Sequence, residues 1–297
     1  MSRQSGLLCS VLAVSALVLL GSPAAALKIR AQEAGIYNLD TGRWIYSKLV
    51  DKQVPVASLT KVATALTFLA MSQDLDQLVT ITRKDWIRSG RTPLRIGDRV
   101  PVRTLLRLAL VASDNCAARA LTHPFGLSWE AFGYKMQEMA WGLGCRKTVF
   151  VEPTGLDAGN VSSVRDIVLL FSKALENPDL REILGTSKFT LETERGPRRI
   201  AHSSRLLRYR KEVRAAKTGY LAAAGYCLVQ YVENTQGTLI TVVLGTSSKR
   251  ARTRESTRLM DYARRNPEKK SRDHIPHLRQ FYDDISMIAQ GTGTSSN

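Results

Sequence analysis

Strand-like sequence lies at both ends of this chain and helical sequence fills the middle, and that division limits the folds open to it. In residues 34–46, apolar Ile36, Tyr37 and Leu39 precede a turn at Asp40-Thr41-Gly42, and Trp44, Ile45 and Tyr46 follow it, the pattern of a hairpin. Residues 213–221, 225–233 and 238–245 alternate in the same way and are linked by short turns, the second at Asn234-Thr235-Gln236-Gly237. Between these ends, residues 64–185 are mainly helical in period, interrupted by irregular sequence over 78–98 that contains Gly90, Pro93 and Gly97. Residues 251–264 close the fold as an amphipathic helix with Met260 and Tyr262. The expected class is α/β of the α+β type: an antiparallel sheet built from both ends of the chain, flanked by helices, with a mainly helical insertion. No internal repeat competes with it.

The N-terminus stands apart. Arg3 gives a short basic start, residues 7–20 are almost unbroken apolar sequence, and Ala24-Ala25-Ala26 has the small residues of a cleavage site. Residues 1–26 therefore read as a signal peptide cut after Ala26, because about 14 apolar residues fall short of the roughly 17–25 that a membrane span needs. Cys9 lies early in the apolar run, away from any position for lipid attachment. The expected organisation is one domain over 27–265 and a polar tail over 266–297. Leu278, Phe281, Ile285 and Ile288 give that tail room for one short amphipathic helix, and Asp283 and Asp284 argue against its binding an anionic membrane.

The formal charge of +17 and pI near 10.0 call for a polyanionic neighbour. An exported chain without a clustered basic helix and aromatic partners does not suit nucleic acid, and an anionic cell envelope fits better. Of the cysteines left after cleavage, Cys116, Cys145 and Cys227, none has metal-ligand spacing, and an odd number cannot make a full disulfide framework, so buried free thiols are expected, with one disulfide as the alternative. The four histidines form no H-E-x-x-H pattern and no G-x-S-x-G elbow occurs, which removes the main support for zinc hydrolase and α/β-hydrolase chemistry. No metal and no cofactor are expected.

Chemistry concentrates at three places. Ser58 and Lys61 stand three residues apart where helical spacing begins with Leu59, Val62, Ala63 and Leu66, so the helix is expected to start at the serine. One face then carries a hydroxyl and an amine within hydrogen-bonding reach, beside the free N–H groups of a helix N-terminus. Alone this is weak evidence, since a serine three positions before a lysine arises by chance about once in a chain of this length. Ser113-Asp114-Asn115 interrupts two apolar helical segments, and Lys217-Thr218-Gly219 lies in a strand. S-x-x-K, S-D-N and K-T-G in this order are the signature of penicillin-binding proteins and class A β-lactamases.

Around that trio the chain resembles the D-alanyl-D-alanine carboxypeptidase family, the low-molecular-mass penicillin-binding proteins, over about residues 32–265. Pro153-Thr154-Gly155-Leu156-Asp157, Ser163-Val164-Arg165-Asp166, Lys217-Thr218-Gly219-Tyr220, Ala224-Gly225-Tyr226-Cys227-Leu228-Val229 and Val243-Leu244-Gly245 look like blocks of that family. The resemblance implies a β-lactamase/DD-peptidase-like fold. It also implies a serine-type D-Ala-D-Ala carboxypeptidase that forms an acyl-enzyme on peptidoglycan stem peptides and is inhibited by β-lactams.

Roles follow from the same resemblance. Ser58 attacks and Lys61 takes its proton, the amine pKa being lowered by burial or by a cation such as Lys217. Ser113 relays the proton to the leaving amine, and Asn115 holds the substrate backbone or Lys61. Lys217, Thr218 and Arg252 bind the terminal carboxylate, Gly219 leaves room for substrate along the strand edge, and the N–H groups of Ser58 and Tyr220 form the oxyanion hole. Two stretches depart from the pattern: Leu221 replaces the polar residue common two places after the glycine, and His202-Ser203-Ser204-Arg205 replaces the usual asparagines before Leu206-Leu207. The short stretch after the last helix is similar to the branch of endopeptidases that cut D-Ala-to-diaminopimelate cross-links, which is the alternative activity. A β-lactamase would need a base for deacylation, and no E-x-x-L-N block supplies one. A non-catalytic envelope-binding protein has no use for a paired nucleophile and base.

Overall fold

The computed structural model describes residues 27–266 apart from 73, 87–91, 194–195 and 236. The expected signal segment and polar tail lie outside these residues. In chain order, β1 (Glu33–Asn38), β2 (Arg43–Lys48) and β3 (Val54–Pro55) lead into a 3-10 turn, Ala57–Leu59, and α1 (Thr60–Met71). The helical middle contains α2 (Val102–Arg107) after the paired strands β4 (Leu78–Thr80) and β5 (Arg99–Pro101). A π-helical turn, Leu108–Ala112, then leads to α3 (Asn115–Ala120) and α4 (Trp129–Gly142). Next come β6 (Val161–Ser162), α5 (Val164–Glu176) and α6 (Pro178–Gly185), the hairpin of β7 (Lys188–Leu191) and β8 (Arg198–Ala201), and α7 (Arg205–Tyr209). The chain closes with β9 (Val213–Leu221), β10 (Gly225–Asn234), β11 (Gly237–Thr246) and α8 (Lys249–Arg265).

The central sheet is antiparallel in the order β2-β1-β11-β10-β9, so the N-terminal hairpin joins the C-terminal meander, as the strand signals at both ends predict. Both faces of the sheet are covered. Ala34, Ile36, Leu228 and Val243 pack against Leu259, Met260 and Ala263 of α8. Val229, Ile240, Val242 and Leu244 share a core with Ile167, Phe171 and the helical body on the opposite face. Covering on two sides explains the near-continuous apolar run of β11, Leu239 to Leu244, all of it buried. The helices from α3 onward start where side chains supply caps, while α1 and α2 have none: Ser163 Oγ accepts from Asp166 N at 3.1 Å, and Ser248 Oγ accepts from Ala251 N at 3.0 Å.

Several elements escaped the periodicity. Residues 78–98, read as irregular, contain β4, and α6, α7 and the β7-β8 hairpin were not anticipated. Each is short, and a helix of five to eight residues or a strand of four carries too few residues to express a period.

Candidate active site

Ser58 does not begin an α-helix. It lies in the middle of the 3-10 turn, its side chain caps nothing, and α1 starts two residues later at Thr60. The correction has a physical cause: Ala57 has φ +49°, so the chain enters the helix through a left-handed kink that the sequence does not signal. That kink is held from outside. A Cβ on Gly155, whose φ is +77°, would stand 2.1 Å from the Ala57 carbonyl oxygen, so only glycine lets residues 153–157 lie against the turn bearing Ser58.

α1 runs through the core with ten of its residues buried, among them Lys61 at 0% exposure. Buried polar groups need partners, and here they stitch the helix to the following segments. Thr64 Oγ1 donates to Pro153 O at 2.6 Å. Lys61 Nζ donates to Thr154 O at 2.6 Å, to Asn115 Oδ1 at 2.6 Å and to Ser58 Oγ at 3.1 Å. The carboxylate of Glu152 fixes the loop that offers those carbonyls, accepting from the amides of Thr154 (2.7 Å), Gly155 (2.6 Å) and Leu156 (3.0 Å) and from Asn160 Nδ2 (2.6 Å).

This geometry serves both states of the amine: the ammonium donates to all three oxygens, and the neutral amine keeps two of those bonds. With Asn115 Oδ1 and Thr154 O each taking one N–H, the third direction of Nζ points at Ser58 Oγ. There an unprotonated amine presents its lone pair to the hydroxyl proton. Burial lowers the Lys61 pKa to about 8, opposed by Glu152 and Asp114 and aided by Arg119. Of the two causes expected, burial or a cation such as Lys217, burial is the larger, and the cation is Arg119. Since the base must be neutral, acylation of Ser58 is expected to rise about tenfold per pH unit below pH 8 and level off above it. A pH profile of penicillin acylation checks this, and a flat profile between pH 6 and about 9 would remove Lys61 as the titrating base.

Ser113 sits across the cleft in a left-handed conformation, φ 63° and ψ 35°. The π-helical turn before it puts one extra residue into the helix, and Asp114 Oδ1 then caps α3 by accepting from Ala117 N at 2.9 Å. Thus S-D-N is not a free loop: Asp114 caps, Asn115 opens the next helix, and only Ser113 is strained. Lys217 Nζ donates to Ser113 Oγ at 2.7 Å and to Thr218 O at 2.8 Å. Burial, then Lys61 and Arg252, hold the Lys217 pKa well below the usual lysine value.

Gly219 also packs closely against the nucleophile turn. A Cβ there would meet Val56 O at 3.0 Å and Ser58 N at 3.2 Å, so its missing side chain lets β9 approach the nucleophile turn. Tyr220, 55% exposed, stacks on Tyr226 with ring centroids 4.2 Å apart. Arg252, only 8% exposed, donates to Gly219 O at 3.3 Å and Cys227 O at 3.4 Å and makes no ion pair with a carboxylate among the described residues. All nine site residues named from the sequence thus lie along one continuous arrangement. The sequence reading missed three more: Thr154, inside a block it had noted without assigning a role, Glu152, the residue just before that block, and Ser203, whose Oγ accepts from Thr218 Oγ1 at 2.7 Å. Ser203 lies in the stretch that departs from the family pattern, and that departure was its signal. Cys116, Cys145 and Cys227 are buried and free.

The model of the D-alanyl-D-alanine carboxypeptidase family matches residues 21–248. A D-alanyl-D-alanine endopeptidase of Pseudomonas aeruginosa is 30% identical over 78% of this chain and 76% of its own length. The D-alanyl-D-alanine carboxypeptidase DacC of Escherichia coli is 31% identical, covering 100% of this chain and 80% of that protein. The crystal structure of the Streptomyces K15 DD-transpeptidase superposes with a TM-score of 0.75 at 30% identity, over 80% of this chain and 98% of that one.

Proposed function

Because the chain belongs to the D-alanyl-D-alanine carboxypeptidase family of serine peptidases, we propose that it removes the terminal D-Ala of peptidoglycan stem peptides through an acyl-enzyme on Ser58. The observation that carries this reading is the buried set of contacts in which Lys61 Nζ meets Ser58 Oγ, Asn115 Oδ1 and Thr154 O. Lys61 takes the hydroxyl proton as Ser58 Oγ bonds to the penultimate D-Ala carbonyl carbon. The amides of Ser58 and Tyr220 stabilise the oxyanion, a donor of this kind being worth about 10²–10³ in rate. As the C–N bond breaks, the proton taken by Lys61 is relayed through Ser113, itself bonded to Lys217, to the leaving amine, and water then hydrolyses the acyl-serine and restores the Ser58 hydroxyl. Lys217, Thr218 and Arg252 receive the terminal carboxylate, since Arg252 is a buried cation without an acidic partner among the described residues. Asn115 holds Lys61.

The likeness to the Pseudomonas aeruginosa endopeptidase favours a second bond, the D-Ala cross-link between two stems. Composition supports work in the cell envelope: an apolar N-terminal segment ending in small residues and a charge of +17 beside an anionic wall. No described helix is long and apolar enough to cross a membrane.

Intact mass after incubation with penicillin is expected to show one adduct on the wild type and none on Ser58→Ala. Products from a pentapeptide and from a cross-linked dimer then assign the bond, by loss of one D-Ala or by splitting of the dimer. Absence of any adduct on folded wild-type protein would falsify the acyl-serine reading.

A further inference from the structure

A cleft of about 890 Å³ opens between the 93–101 turn and the β7-β8 hairpin, and none of Ser58, Lys61, Ser113 or Lys217 lines it. Its floor is apolar, with Leu94, Val100 and Leu191 buried. Its rim carries Arg95, Arg99 and Arg198, all exposed and none with an ion-pair partner among the described residues. Two acids share the described lining with these three cations, which leaves it net positive. Asp98 Oδ2 accepts from the backbone N of Arg95 at 2.8 Å, while Glu192 is the other acid on the lining. A fourth arginine of the cleft, Arg107, is already committed to Glu182 at 2.8 Å.

Along the chain, the segments that line the cleft lead to residues of the active site. From Arg107 the π-helical turn leads directly to Ser113. From Arg198, β8 runs to Ala201 and then to Ser203, whose N donates to Val111 O at 2.8 Å and whose Oγ accepts from Thr218. Five residues at an extended rise of roughly 3.3 Å each put Arg198 within about 17 Å of Ser203. An extended peptide of about five residues covers the same distance.

We propose that this cleft is a second substrate subsite, in which Arg95, Arg99 and Arg198 hold the carboxylates of a peptide arm that does not react. The inference rests on the DD-peptidase reading and deepens it, because a ligand that fills both places is longer than the dipeptide cut at Ser58. Guanidinium forks match carboxylates two hydrogen bonds at a time, and the apolar floor accepts the alkyl stems that carry them. The same subsite would favour cross-linked, carboxylate-rich peptides over short neutral ones.

Binding tests it without turnover. In the Ser58→Ala background, calorimetry compares a cross-linked muropeptide dimer bearing free carboxylates with its amidated counterpart, with and without Arg95→Gln, Arg99→Gln and Arg198→Gln together. The triple substitution is expected to weaken the free-carboxylate dimer about tenfold and leave the amidated dimer unchanged. Penicillin acylation of a triple variant that retains Ser58 is expected to stay within about twofold of wild type, because the three side chains do not line the nucleophile site. Equal affinity of the two dimers for the parent protein, no loss in the triple variant, or stronger binding of a polyphosphate than of the dimer overturns the subsite. A wild type that penicillin does not acylate removes the acyl-serine reading instead, while the binding comparison still decides the cleft.

Discussion

Methionine in place of Lys61 is expected to slow acylation of Ser58 by penicillin about 10²–10⁴-fold while the protein stays folded. The side chain keeps the apolar stem that packs in the core and loses only the amine, whose three contacts are Ser58 Oγ, Asn115 Oδ1 and Thr154 O. Two acceptors are left without their donor, at roughly 1–3 kcal/mol for each that stays dry. Release of the desolvation penalty that already pulls the Lys61 pKa down to about 8 offsets part of that cost. Rate and stability therefore separate. The adduct rate, read by intact mass beside a thermal unfolding curve, checks both. A rate within a few-fold of wild type would mean that another group takes the serine proton.

The second large effect comes from a residue that touches no substrate. Gly155→Ala places a Cβ 2.1 Å from Ala57 O and 2.9 Å from Ser58 N, on a backbone with φ +77°. The left-handed conformation costs roughly 1–2 kcal/mol for an L-residue, and overpacking adds roughly 1–3 kcal/mol. For a domain of this size each kcal/mol lowers the unfolding temperature by about 2–4 °C, so a fall of roughly 5–15 °C is expected. Acylation should fall as well, because the atoms displaced are those that carry the nucleophile. Differential scanning calorimetry with the penicillin adduct rate decides it. An unchanged melting temperature with normal acylation would show that the 153–157 segment moves aside freely and does not hold the Ser58 turn.

Much of the frame was legible because its signals are local. Period-two alternation marked β1, β2, β9, β10 and β11, and spacing of three and four marked α1, α4, α5 and α8. The sequence also showed that Ser58 and Lys61 share one side of the chain, since neighbours three apart do so in any helical turn, 3-10 or α. It did not show which turn, because the left-handed Ala57 that opens it is an ordinary alanine, and its carbonyl lies against Gly155, nearly a hundred residues away.

What the sequence determined by itself is therefore the order of the strands along the chain, the helical insertion and the identity of the reacting side chains, all of which follow from residue types and short spacings. Tertiary structure alone decided how those side chains are connected. Lys61 reaches Asn115 across 54 residues and Thr154 across 93, and Lys217 reaches Ser113 across 104. Such contacts depend on how a largely buried helix, a π-helical turn and a strand edge pack, and no local pattern encodes that packing. The depressed Lys61 pKa is decided at the same level, because desolvation exists only once the core has closed around the amine.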